Sequence, residues 1–331
     1  MKKNSVNIIL KEDLVIKNCN HFFSCAVLLS TYNGEKYIKE QLNSLISQRN
    51  VNLHIFIRDD GSIDSTLEIL KEYKRNNPEI IDVLEGTNCG IHKSFWNLFN
   101  SVPSNYDYYA FCDQDDIWDD DKLITAISCL SKFNSDFYAS SSRLIDSTGV
   151  SLNRTTAAHK EVSFYMNGPH SLFTPGVQGC TMVFSNKLFS FLKSIGFPSN
   201  IGHDTWIPII SYYFFISVYD CNPHMSYRQH EKSWTGNRKS KIKYLFTSYK
   251  QFKNGLIRYS IISDMILNKC RSFLEKEKIE YLENFTAKMN FIQRVRSLSK
   301  YGYRKKRILE TIIIRIKYLA GKFMREEYDR S

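Results

Sequence analysis

The chain has 331 residues, 43% of them hydrophobic and 24% charged, enough to bury a full α/β core and leave about a third of its length for a second unit. Lys and Arg number 45 against 34 Asp and Glu, and this basic bias of +11 points to an anionic partner: nucleic acid, an acidic membrane surface or a phosphorylated substrate. The eight cysteines are scattered with no short C-x-x-C clip, which excludes the usual zinc and redox arrangements and fits a reducing cytosol.

Residues 1–23 mix charges with short apolar pairs, so they read as an amino-terminal extension and not as the apolar core of a signal peptide. Cys25 to Leu29 is an apolar run ending in Ser30-Thr31-Tyr32-Asn33-Gly34. Tyr37, Leu42, Leu45 and Ile46 then recur at helical spacing. Val51 to Ile57 gives a second strand, ending in Arg58-Asp59-Asp60-Gly61-Ser62 before a helix that carries Leu67, Leu70 and Tyr73. Ile80 to Leu84 gives a third, followed by the turn Gly86-Thr87-Asn88-Cys89-Gly90 and a helix marked by Phe95, Leu98 and Phe99. A fourth run, Tyr108 to Cys112, ends in Asp113-Gln114-Asp115-Asp116-Ile117-Trp118. Strands this apolar, alternating with helices, predict a parallel sheet covered on both faces, with ligands bound beyond the carboxyl ends of its strands.

If the last strand continues through the acidic stretch, Asp113 and Asp115 project to one side and Gln114 points away. Carboxylates so close need a cation between them, and hard oxygen ligands favour Mg²⁺ or Mn²⁺, which in turn suits a diphosphate. The alternative is an acidic turn capping the next helix, since Asp119, Asp120 and Asp121 precede the apolar run Leu123 to Leu130. Four polar loops falling at one sheet edge favour the nucleotide site. Neither G-x-G-x-x-G nor the P-loop lysine occurs in them.

Taken together, Ser30-Thr31-Tyr32-Asn33-Gly34, Arg58-Asp59-Asp60-Gly61-Ser62 with Asp64-Ser65-Thr66, and Asp113-Gln114-Asp115-Asp116-Ile117-Trp118 resemble family 2 glycosyltransferases of the GT-A fold, over roughly residues 24–232. The resemblance implies an inverting transfer from a nucleotide sugar with Mg²⁺ or Mn²⁺ on the diphosphate. It places Thr31 and Tyr32 at base and ribose, where Asn33 and Asn88 of the polar rim are also expected to bind the nucleotide sugar, and has Asp60 accept from the base ring nitrogen. It sets Asp113 at the ribose and Asp115, Asp116 and His230 at the metal. Arg228, in Tyr227-Arg228-Gln229-His230 after a last strand Phe215 to Asp220, is expected on the diphosphate.

Residues 151–178 read as a long loop, Gly179 to Phe184 as a strand, and Gly202-His203-Asp204-Thr205-Trp206 as the opening of a helix. Asp204 either caps that helix or is the base that takes the acceptor hydroxyl proton. Its His-Asp-x-Trp setting resembles bacterial rhamnosyltransferases of surface polysaccharide assembly (O-antigen or capsule type). The expected donor is therefore dTDP-rhamnose, with a UDP-sugar as the alternative, and the acceptor a glycan or lipid-linked saccharide. A glycosidase would need no nucleotide loops.

Residues 233–331 are basic and helical in pattern, with one helix expected at Ile242, Leu245, Phe246, Tyr249 and Phe252. In the last, Arg304-Lys305-Lys306-Arg307 precedes a stripe of Ile308, Leu309, Ile312, Ile313, Ile316, Leu319, Ala320 and Phe323, suited to anionic lipid or to packing on protein, including a second subunit. No stretch reaches the length of a membrane span; the best, Trp206 to Tyr219, contains Pro208. The expected location is the cytoplasm, peripheral on the inner face of the bacterial membrane. Nucleic acid is not an expected partner, because the acidic rim would repel a polyanion and no nucleic-acid motif occurs.

Overall fold

Strand β1 (Ser24–Thr31) sends alternate residues into two different cores, Ala26 and Leu28 into one and Cys25, Val27 and Leu29 into the other, all fully buried. Two-sided burial explains why the strand reads as an unbroken apolar run. Each such Leu contributes about 1.5–3 kcal/mol when fully withdrawn from water. The structure is a computed structural model and describes residues 22–156, 163–166, 172, 177–198, 201–230, 259–286, 289–303 and 308–320. The helix expected near Ile242 to Phe252 and most of the extension 1–23 lie outside the described residues.

Strands β2 (Asn52–Asp59), β3 (Ile81–Glu85) and β4 (Tyr108–Cys112) join β1 in the expected parallel arrangement, with the order β3-β2-β1-β4. Its helices are α1 (Ile38–Ile46), α2 (Thr66–Asn76) and α3 (Ile91–Ser101). The pairings Thr31↔Asp59, Asp59↔Glu85 and Leu29↔Cys112 bring the carboxyl ends to one edge, so the four polar loops lie side by side.

After β5 (Ile117–Trp118) and α4 (Lys122–Lys132) the sheet becomes mixed. β6 (Phe137–Ile145) runs parallel to β10 (Ile216–Arg228), and β9 (Val183–Ser185) lies antiparallel between β4 and β6. Within the segment read as a long loop, β7 (Ser151–Thr155) pairs with β6 and β8 (Ser163–Met166) pairs with β10. β7 escaped notice because all but one of its residues are exposed, leaving no apolar pattern. The expected strand from Gly179 is a 3-10 turn at Gly179–Thr181 followed only then by β9. β10 does not stop at Asp220: register shifts on both sides of Pro223 absorb a residue that cannot donate to the ladder, and Tyr227 and Arg228 end up in the strand.

Helices α5 (Asn186–Ile195) and α6 (His203–Phe214) follow β9. Beyond β10, α7 (259–270), α8 (Lys276–Glu283), α9 (Phe291–Tyr301) and α10 (Ile308–Leu319) form the carboxyl-terminal helical region. One apolar cluster runs from Phe95 and Trp206 through Ile262, Tyr281 and Tyr303 to Tyr318, so these helices share a core with the sheet. Buried Lys278 donates to the Tyr213 carbonyl at 3.1 Å across that junction.

Candidate active site

Strand pairing ends at Cys112, and Asp113 to Asp116 form a turn instead of an extended continuation. The first and fourth residues of a β-turn approach each other while the middle two point elsewhere. The carboxylates that meet are therefore Asp113 and Asp116, with the Cys180 thiol beside them, ligand atoms all within 4.8 Å of one another. This corrects the expected pairing of Asp113 with Asp115. It also corrects Gln114, which turns back onto β1 and does not point away. The Gln114 Oε1 accepts from the Thr31 hydroxyl at 2.6 Å and from the Tyr32 N–H at 2.8 Å, and its Nε2 donates to the Tyr32 carbonyl at 3.2 Å. A side chain at Gly34 would collide with this clamp, its Cβ falling 3.0 Å from the Thr31 hydroxyl.

Asp115, at the other corner, reaches His230, whose Nε2 lies 2.6 Å from its Oδ2. His230 in turn stacks on Tyr37 at 5.3 Å. Arg228 braces the turn from behind: its backbone N–H donates to Asp116 Oδ1 at 3.1 Å, its Nε to the Asp115 carbonyl at 2.8 Å, and its terminal nitrogen pairs with Glu40. The guanidinium is buried and also lies over the Tyr37 ring, which holds it beside the acid turn.

Burial, reinforced by the Asp115 carboxylate, pushes the Asp113 carboxyl up to about 7, and the Asp204 charge adds to the shift. Asp116 is raised by burial and by both neighbours, and among the described residues its Oδ2 is buried with no hydrogen-bond partner. Burial and the same carboxylates hold the Cys180 thiol protonated, so it is a donor and not a nucleophile. Lys122 lies fully buried near the turn, its Nζ 3.4 Å from the centroid of the Trp118 ring, and burial lowers its pKa to about 8. A second acidic group, Asp119, Asp121 and His224, is already engaged through Arg143 and Asp220. None of the three residues Asp119, Asp120 and Asp121 caps α4 with its side chain.

The remaining loops are tied together by their own polar groups. Asp60 is sealed by a buried ion pair with Arg58 and by the backbone N–H groups of Cys89 and Gly90, at 3.1 and 3.0 Å. Burial opposes its ionisation, but these bonds win and lower its pKa. Its carboxylate thus anchors the loop after β3. Asn33, at φ +48°, accepts from the Ile63 N–H and fastens the first loop to the second. Tyr32 and Asn88 are exposed at the rim, and Thr31 is buried under the Gln114 clamp. The backbone N–H of Asn88 sits 3.0 Å from where a Cβ of Gly61 would be, and with φ +78° that position suits glycine.

Asp204 stands exposed in the first turn of α6, where Gly202 is the N-cap and no side chain caps the helix. It accepts from the Thr205 hydroxyl at 3.3 Å. His92, at the start of α3, packs with the Asp204 carboxylate around the Gly202 Cα. Next to it, buried His203 is held between Phe95 and Phe111, with its Nδ1 unpartnered among the described residues and its pKa lowered to about 4 by burial. Sequence reading missed Gln114, Cys180, His92, Tyr37 and Glu40. The Gly-Cys step and the Asp-Gln-Asp-Asp turn were the only signals for the first two.

Residues 26–192 match Glycosyl transferase family 2. The dTDP-rhamnosyl transferase RfbG of Shigella flexneri is 37% identical over 227 residues, 65% of this chain and 76% of that protein. Among solved structures, S. aureus TarS 1-349 in complex with UDP-GlcNAc is similar with a TM-score of 0.58 at 18% identity, over 90% of this chain and 88% of that one. Mannosyltransferase PcManGT from Pyrobaculum calidifontis, in complex with GDP-Man and Mn²⁺, gives 0.50 at 14% identity, over 94% and 89%.

Proposed function

The chain belongs to glycosyl transferase family 2 and is a glycosyltransferase, and from that premise we propose that it moves L-rhamnose, with inversion, from dTDP-β-L-rhamnose to a growing or lipid-linked surface glycan at the inner face of a bacterial membrane. The rhamnosyl donor is supported by the 37% identity to a dTDP-rhamnosyl transferase. The single observation that carries the mechanism is the convergence of an open carboxylate, Asp204, with the acid turn: the ring of adjacent His203 packs 4.5 Å from Phe111, on the strand that ends in that turn.

In this reading Asp204 is the base. It is open to solvent where an acceptor sugar arrives, and it takes the hydroxyl proton as that oxygen attacks the anomeric carbon. Tyr32 and Asn88 line the exposed rim for base and ribose. Gln114 holds the Thr31-Tyr32 backbone against the acid turn, so that nucleoside and diphosphate positions are fixed together. The turn fits a divalent cation: Asp113 and Asp116 resist ionisation beside Asp115, and the Asp116 Oδ2 has no donor among the described residues. Asp115 and His230 would hold Mg²⁺ or Mn²⁺, with Asp116 behind them and oriented by Arg228. The ion's chemistry is to offset the negative charge that collects on the departing nucleoside diphosphate.

The test is calorimetric titration with dTDP-rhamnose, UDP-glucose, UDP-galactose and UDP-N-acetylglucosamine, with and without Mn²⁺. Metal-dependent binding of dTDP-rhamnose alone is expected. Binding of a UDP-sugar in its place would overturn the donor and leave the fold and the metal reading intact.

A further inference from the structure

Residues 289–320 contain nine Lys and Arg against one Glu, a net +8 of the chain's +11. The same segment exposes apolar side chains. On α9, Ser297 and Tyr301 face the core with Leu298 beside them, while Phe291 and Ile292 are 60% and 63% exposed and Val295 42%. On α10, Ile314 and Tyr318 enter the core while Ile312 and Ile316 stand 47% and 60% exposed. At 3.6 residues per turn these outward residues occupy a separate sector of each helix, so each has one apolar face spent on the core and another left over. Phe291 and Ile292 are held in place: a capping box at Asn290 and Gln293 starts α9, and left-handed Gly302 ends it. α10 is tied to that end, since Arg315 donates to the carbonyls of Gly302 and Tyr303 at 2.9 and 3.2 Å.

We propose that the α9–α10 hairpin is the surface on which the enzyme lies on an anionic lipid bilayer. Phe291, Ile292, Val295, Ile312 and Ile316 enter the acyl boundary, and the basic side chains of the segment, Arg296 and Lys317 among them, meet the headgroups. This deepens the membrane-face reading above and rests on it. Charge selects the occupant: a second copy of this face would bring its own +8 against the first, and a nucleic acid would leave five apolar side chains in water. An anionic bilayer satisfies both features at once.

The full chain is sedimented with vesicles of phosphatidylcholine, pure or containing roughly one-third phosphatidylglycerol. Binding at least about tenfold tighter to the anionic vesicles is expected. It should be lost in Phe291→Ser/Ile292→Ser/Ile316→Ser and in Lys305→Gln/Lys306→Gln/Arg307→Gln, with Mn²⁺-dependent donor binding unchanged in both variants. Wild type failing to bind anionic vesicles, or the apolar variant binding as wild type does, would overturn the proposal. So would a wild-type oligomer that the apolar variant reduces to a monomer, since the face would then join copies. Loss of donor binding in every protein with vesicle binding retained would sink the donor reading alone.

Discussion

Gly179 and His203 test the link between backbone packing and the proposed base. A Cβ at Gly179 would overlap the His203 Nε2 and lie 3.0 and 3.3 Å from its Cδ2 and Cε1, so the whole ring edge is in the way. The ring cannot yield, because its centroid is 4.2 Å from that of Phe95 and 4.5 Å from that of Phe111. Overpacking of a rigid site costs about 1–3 kcal/mol, and this one belongs near the upper end. Gly179→Ala should lower Tm by roughly 3–4 °C in a thermal melt. His203 is followed directly by Asp204, so relief by sliding the start of α6 moves the proposed base; a shift of about 1 Å is enough to reduce kcat about a hundredfold. Adding His203→Ala removes the obstacle and lets the new methyl occupy part of the space. The double variant should then be more stable than the sum of the single effects by about 2 kcal/mol. Additivity within about 0.5 kcal/mol, or a wild-type Tm for Gly179→Ala, would refute the reasoning.

Replacing Asp204 with Asn should leave calorimetric donor binding within about twofold and lower kcat by about 10²–10⁴, whereas an unchanged rate would remove its role as base. Gln114→Ala frees the Thr31-Tyr32 backbone and should raise the donor KM several-fold with little change in thermal stability; an effect on Tm alone would make the clamp structural. The Asp113 carboxyl titrates at about 7 when folded and near 3.8 when unfolded, so the folded chain holds the extra proton between those values. Without metal, stability therefore falls as pH rises through that window and stays low above it. Asp113→Asn should be more stable than wild type at about pH 8 and lose that advantage near pH 4; a gap that does not change with pH contradicts this.

The centre of the parallel block was legible because β1 and β4 are buried on both faces, which leaves apolar runs such as Cys25 to Leu29 bounded by loop residues. The mixed half was not legible, for reasons visible in individual strands. β7 is nearly all exposed, β9 has three residues, and β10 crosses Pro223 by shifting register, so none offers a sustained period of two. The α10 stripe was read in sequence as one apolar face. In the structure Ile314 and Tyr318 pack inward while Ile312 and Ile316 face out, because periodicity gives the angle of a face and not what covers it.

At the site the residue types were legible and their directions were not. Composition and spacing placed carboxylates at a strand end, and a period of two then assigned Asp113 and Asp115 to one side. That period holds only while a neighbouring strand supplies hydrogen bonds, and the β1–β4 ladder ends at the pair Leu29↔Cys112. Beyond it the chain turns, and the relevant spacing changes from two to three. The change redistributes the chemistry: Asp113 meets Asp116, Asp115 is released toward His230, and Gln114 becomes the bond between the acid turn and the first loop. His230 and Asp115 are 115 positions apart, and what joins them is the extension of β10 past Pro223, the same feature that sequence reading cut short. The resemblance had already set Asp115 and His230 at one metal; the extension of β10 to Arg228, in register with Ile145, supplies the physical link between them that no local sequence pattern could.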